Sequence, residues 1–295
     1  MTQVKTGVLE VEVACAGPDD GTPVLLLHGW PDAPRGWSAI AARLHAAGYR
    51  TIVPTLRGTG GTRFLSSATV RDGSAVALTQ DAIDVLDALG VARVDVVGHD
   101  WGGRAAFTLA ALHSDRIRRI VSLSVAFQPY GRFVIPATFT QSRHYWYQWF
   151  MSLDGGPQAI AADPIGFARS QWDGWSPPGW FDEAEFSATA AAFRNPDWLP
   201  ITLNAYRRRW RNDEASDPRY AAATERLAQI GQIDVPTLVV QGASDTCTEP
   251  ATTSGQEACF TAGYTRLVLD GVGHFPAREA PQQVADAVIA YFRAR

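Results

Sequence analysis

The chain contains one lysine, Lys5, among 295 residues. Placed so near the N-terminus, it argues against Schiff-base chemistry, which needs an amine held beside the reacting carbonyl. Arginine supplies the remaining positive charge. Cysteine is scarce as well: Cys15, Cys247 and Cys259 are odd in number and lack metal-site spacing, so free thiols in a reducing compartment are expected in place of a disulfide framework. No run of about 18 apolar residues occurs and no apolar leader precedes the first strands, which disfavours both membrane spanning and secretion and favours a cytoplasmic location. A formal net charge of -4 gives no electrostatic case for nucleic acid. The loop Arg57-Gly58-Thr59-Gly60-Gly61 lacks the Gly-Lys-Ser/Thr ending of a phosphate loop and has no dinucleotide spacing, so no cofactor is indicated. The oligomeric state is not fixed by composition, and a homodimer is compatible with it.

What is present is a set of apolar strand-like runs, each ending in a chemically pointed residue. Val96-Val97-Gly98-His99-Asp100-Trp101-Gly102-Gly103 runs from a buried strand into a glycine-bracketed turn that would present Asp100 at a strand-to-helix elbow, where small flanking residues are needed. A carboxylate attacking an ester would form a labile anhydride, whereas attack on an sp3 carbon gives an ester that water can cleave. The simpler alternative is that Asp100 only caps the following helix. Upstream, Pro23-Val24-Leu25-Leu26-Leu27 ends in His28-Gly29-Trp30-Pro31-Asp32, followed by a helical segment over about 35–47. Its glycine and proline can turn the Trp30 amide toward the elbow, where with the Trp101 amide it would make an oxyanion hole. Downstream, Pro236 to Gly242 leads into Asp245, and Arg266 to Leu269 leads into the loop carrying His274.

The order nucleophile, acid, histidine, each after a strand, resembles the α/β-hydrolase fold. His28-Gly29-Trp30-Pro31 and Gly98-His99-Asp100-Trp101-Gly102 resemble the oxyanion-hole and elbow motifs of its epoxide hydrolase and haloalkane dehalogenase branch. The resemblance implies a mostly parallel, eight-stranded sheet flanked by helices, with Asp100, Asp245 and His274 as catalytic residues. Residues 1–127 and 230–295 would form the core and 128–229 an inserted helical cap. A strand over about 8–15, alternating apolar and polar, is expected at the sheet edge in a hairpin.

Seven of the ten tryptophans fall in the 128–229 segment; an apolar lid over a carboxylate would exclude bulk water and strengthen each hydrogen bond inside. Leu203-Asn204-Ala205-Tyr206-Arg207 resembles the segment that supplies one ring-opening tyrosine in epoxide hydrolases. The second donor should come from Tyr145-Trp146-Tyr147-Gln148-Trp149-Phe150, with Tyr147 preferred and Gln148 and Tyr145 as alternatives. Tyr145, Gln148 and Trp149, together with His28 and Pro31, are expected to line the substrate. His28 and His99 are read as shaping loops, and Asp32 and Asp270 are spare acids. Arg207, Arg208, Arg209 and Arg211 read as a solvated helix face.

A departing alkoxide needs proton donors that a halide does not. The branch's dehalogenases pair the elbow tryptophan with an asparagine after His-Gly or a cap tryptophan, whereas Trp30 stands here. Those acting on fluoroacetate want arginine where Trp101 stands. The resemblance therefore implies hydrolysis of a small apolar or aromatic epoxide. Haloalkane dehalogenation, epoxide opening by an internal nucleophile in natural-product tailoring, and a non-catalytic receptor on the same fold are the alternatives.

Overall fold

The computed structural model describes residues 1–211 and 213–294. Its centre is a nine-stranded sheet: β1 (Thr2–Lys5), β2 (Leu9–Ala16), β3 (Thr22–Leu27), β4 (Tyr49–Pro54), β5 (Arg63–Phe64), β6 (Val94–His99), β7 (Ile117–Leu123), β8 (Thr237–Gly242) and β9 (Tyr264–Leu269). The spatial order is β1-β2-β4-β3-β6-β7-β8-β9, with β5 against β2. From β4 to β9 every pairing is parallel; those of β2 with β1, β4 and β5 are antiparallel.

The near-continuous apolar runs reflect burial on both faces. In β3, Val24 and Leu26 enter a layer with Ile40 and Leu44 of α1 (Ser38–Ala46) and Val284 and Val288 of α12 (Pro281–Arg293). Leu25 and Leu27 enter the opposite layer, with Leu78 and Val85 of α2 (Ala75–Ala88) and Ala105 and Leu109 of α3 (Trp101–Leu112). Alternation with period two thus places successive side chains in different cores.

Two expectations are corrected. The sheet has nine strands, not eight; β5 is two residues long and pairs Phe64 with Leu9 and Arg63 with Glu10, too short to leave a periodic signal. The alternating strand is β2, one place in from the edge, and short, mostly exposed β1 takes the edge position.

From β3 the chain crosses to β4 on one side and later to β6 on the other. The carboxyl ends of β3 and β6, paired in register Leu27 to Gly98, therefore flank the point where strand order reverses, the usual location of a ligand crevice in such sheets. Between β7 and β8 the described residues form no strand. They hold α4 (Phe139–His144), α5 (Trp146–Ser152), α6 (Gly156–Ala162), α7 (Pro164–Gly174), α8 (Glu183–Ala190), α9 (Trp198–Arg207) and α10 (Ala221–Leu227). The short α11 (Pro276–Glu279) follows the His274 loop. No helix among the described residues is long and apolar enough to cross a membrane.

Candidate active site

Asp100 joins β6 to α3 at φ 47, ψ -110, a conformation that costs a non-glycine residue energy and persists only where surroundings over-determine it. Here they do. A Cβ on Gly98 would collide with the Gly102 carbonyl, one on Gly102 with the Leu27 carbonyl, and one on Gly29 would lie 2.7 Å from the Asp100 Cβ. The Asp100 side chain makes no helix-capping hydrogen bond, which removes the capping alternative. Its Oδ1 instead accepts the Trp30 N–H at 2.9 Å. The Trp30–Pro31 peptide is cis. The Trp101 N–H is the first of α3, so it has no intrahelical carbonyl.

Asp245, just beyond β8, is tied down on both oxygens. Oδ1 accepts the N–H groups of Cys247 and Thr248, both at 2.8 Å, and Oδ2 accepts from Gln241 Nε2 at 3.0 Å. That same Oδ2 lies 2.9 Å from His274 Nδ1. His274 is fully buried; its Nε2 has no hydrogen-bond partner and stands 3.8 Å from Asp100 Oδ2. Burial is the largest single influence on this imidazole and disfavours its charge, but the Asp245 carboxylate, with help from Cys247, outweighs it and raises the pKa well above the ordinary histidine value. Its backbone is clamped as well: its N–H meets Ser176 Oγ at 2.9 Å and the Trp175 carbonyl at 3.2 Å, and its carbonyl lies 2.7 Å from His99 Nε2. Burial, then the neighbouring His274, pushes His99 down to about 4, so at neutral pH it is an uncharged ring whose Nε2–H can donate to that carbonyl.

The opposite wall is aromatic. The Trp30 ring packs against Trp101, Tyr147, Trp198 and Tyr206 with centroids 5.1–6.2 Å apart. Tyr206, on α9, accepts the Trp101 indole N–H at 3.0 Å, and its ring meets that of Tyr147 nearly perpendicularly at 5.2 Å. Tyr147 Oη accepts from Gln148 Nε2 at 3.0 Å and lies 3.7 Å from Cys247 Sγ. Burial holds both phenols well above their ordinary pKa, so both keep their protons at neutral pH.

The α5 residues separate by their helix faces. Tyr147 faces Trp30 and Tyr206. Gln148 lies beside it and uses its amide to hold the Tyr147 hydroxyl while its Oε1 accepts from Arg209 Nη1 at 3.2 Å. Tyr145 precedes the helix and packs against Phe133. Trp149, two residues and about 200° around the helix from Tyr147, was expected at the substrate but turns away: its ring sits 3.9 Å from that of Trp210 and its N–H reaches the Ser142 carbonyl. His28 also leaves the expected lining, because Nδ1 meets the Gly29 carbonyl and Nε2 accepts the Leu56 N–H; both nitrogens are occupied by backbone. Pro31 stays in the loop beside the elbow, its carbonyl accepting the Trp172 indole N–H at 2.7 Å. Asp32 is buried against Arg278 at 2.6 Å, while Asp270 is exposed.

Three participants carried no interpretable signal in the sequence. Cys247 counted only as a free thiol, yet it adjoins Tyr147 and gives its N–H to Asp245. Trp175 is followed by Ser176-Pro177-Pro178, and its ring stands edge-on to His274 at 4.9 Å. The basic run after Tyr206 is not simply a solvated face: Arg207 and Arg208 pair with Glu214 and Asp72, and the Arg209 guanidinium lies over the Tyr206 ring at 4.6 Å. Among the described residues, no group of three or more His, Cys, Asp or Glu side chains is placed to hold a metal ion.

A family model of the alpha/beta hydrolase fold matches residues 22–281. Epoxide hydrolase A of Mycobacterium tuberculosis is 27% identical over 98% of this chain and 95% of its own length. The epoxide hydrolase of Caballeronia sordidicola is 26% identical over 99% of this chain and 96% of its own. A crystal structure of a candidate epoxide hydrolase from Klebsiella pneumoniae has a TM-score of 0.92 at 37% identity, covering 99% of this chain and 97% of that one. The chain belongs to the α/β-hydrolase family.

Proposed function

We propose that this protein hydrolyses an epoxide to a vicinal diol through a covalent ester on Asp100. The observation that carries the reading is one carboxylate with two differently occupied oxygens: Oδ1 on the Trp30 amide and Oδ2 facing the unpartnered Nε2 of His274. In this reading Oδ2 attacks an epoxide carbon in line with its C–O bond. The bond breaks, and the oxygen leaving as alkoxide takes a proton from Tyr206, with Tyr147 as second donor.

The ester then carries its carbonyl oxygen at Oδ1, already against a backbone donor. His274 Nε2, held by Asp245, takes a proton from water, and hydroxide adds to the Asp100 carboxyl carbon. Negative charge develops on Oδ1, opposed by the amides of Trp30 and Trp101. Collapse breaks the bond to Oδ2, which departs in the diol with the proton from His274. The acid regenerated at Asp100 loses its proton, and the tyrosine recovers one.

The helical segment over 128–229 would serve as the cap that brings Tyr147 and Tyr206 over Asp100. Two phenol hydroxyls favour an oxygen leaving group over a halide, and Trp30 stands where the dehalogenase branch has asparagine. A panel of terminal and aryl epoxides with chloro- and bromoalkanes of matched size tests this. Diol formation at least tenfold faster than halide release is expected; predominant halide release contradicts it.

A further inference from the structure

Beside Trp101 lies a cavity of about 350 Å³, lined by α2, α3, the ends of α9 and α10 and the loop around Phe133. Trp101 forms part of its wall, so it adjoins the Asp100 site across the Trp101 and Tyr206 rings. Four arginines line it, Arg104, Arg132, Arg208 and Arg209, and no acidic side chain does. Arg208 is neutralised by Asp72 at 2.7 Å. The other three form no salt bridge among the described residues. Arg104 makes no side-chain hydrogen bond among them and its Nε is buried, while Arg209 has only the neutral Gln148 oxygen and the faces of Tyr206 and Phe133.

Arg104 and Arg209 are each partly exposed, and neither guanidinium has the carboxylate partner that arginines drawn from water usually find. Arg104 and Arg209 both line this cavity, and burial, then repulsion from the like charge of Arg104, act to lower the pKa of Arg209. An oxyanion entering the cavity would relieve that repulsion and could accept two forked hydrogen-bond pairs. Exposed Arg132 at the rim would attract such a group from solvent.

We propose that the cavity binds the anionic end of the substrate, a carboxylate or phosphate, with Arg104 and Arg209 as its ligands, while the epoxide of the same molecule reaches Asp100. The inference rests on the epoxide hydrolase reading for its chemistry but not for its anion site. A preference for acids would then be built into the fold beside Trp101, and an uncharged apolar epoxide would be an incomplete substrate.

The test compares para-carboxystyrene oxide and undecenoic acid oxide with their methyl esters. Wild type is expected to favour at least one acid over its ester by tenfold or more in kcat/KM, most strongly at low salt. That ratio should fall at least tenfold in Arg104→Gln and recover in part in Arg104→Lys. In parallel, quenching of tryptophan fluorescence by the unreactive para-ethylbenzoate and by phenyl phosphate reads binding without turnover and shows which anion is preferred. Saturable quenching that Arg104→Gln abolishes supports the site even if no epoxide is hydrolysed, an outcome that would overturn the proposed function alone. Equal turnover of acid and ester, or binding unchanged by Arg104→Gln, overturns the anion site and leaves the epoxide reading standing.

Discussion

The Trp101 indole N–H donates to Tyr206 Oη at 3.0 Å, and this fixes which way the phenol can act. The indole N–H only donates and so engages a lone pair of Oη, leaving the hydroxyl hydrogen of Tyr206 free to point elsewhere. Trp101 also begins the helix that follows Asp100, so Asp100 and Tyr206, the proposed nucleophile and proton donor, are linked through a single residue.

Loss of that proton should be felt in the transition state. In Tyr206→Phe, kcat on an accepted epoxide is expected to fall on the order of 100-fold, as for removal of an oxyanion donor, with KM changing much less. Tyr147→Phe should act in the same direction. Steady-state kinetics on purified variants reads this; a silent Tyr206→Phe on every accepted epoxide would remove the tyrosine from the mechanism.

The two histidines beside the elbow should give stability a maximum near pH 6.5. His99 falls from its ordinary 6.5 to about 4 in the fold. Below 6.5 the unfolded chain therefore binds a proton that the native one refuses, and stability declines as pH drops to about 4, by about 3 kcal/mol from this group. His274 has the opposite sign: its raised pKa contributes stability that is present below 6.5 and lost as pH rises through the native value. Urea midpoints at pH 4.5, 6.5 and 9 should show the maximum at the middle value. A monotonic profile would contradict these assignments. The same elevation of His274 predicts that ester hydrolysis, measured in single turnovers, accelerates with pH through an apparent pKa above 6.5, because only the neutral imidazole accepts a proton from water.

Gly98→Ala tests the elbow's crowding. A Cβ there meets the Gly102 backbone, not a flexible side chain, so a loss of at least about 2 kcal/mol is expected. Denaturant unfolding measures it, and a neutral substitution would mean that the elbow is looser than its geometry.

The legible part of this protein was what the backbone dictates. Asp100, Trp30, Asp245 and His274 each follow an apolar strand, and all but Asp245 are bracketed by glycine or proline, so their places could be read from punctuation. Side-chain direction on the short helices could not. Tyr147 and Gln148 differ by about 100° of rotation on α5, and which one faces Trp30 depends on packing against α9. Trp149 turned away to meet the tilted ring of Trp210, which comes from another segment. The His28 ring was taken up by the Leu56 amide, a contact between separate loops, and the two residues of β5 are fewer than any periodicity can report.

Everything in the mechanism depends on a bond between Asp100 and the substrate. In His274→Gln the attack should proceed and water activation should stall, so intact-mass spectrometry after incubation with an epoxide that the wild type converts should show one substrate mass added. Peptide mapping should place it on Asp100. A His274→Gln protein that stays unmodified, while the wild type still opens the ring, would contradict the covalent route and point to direct attack by an activated nucleophile.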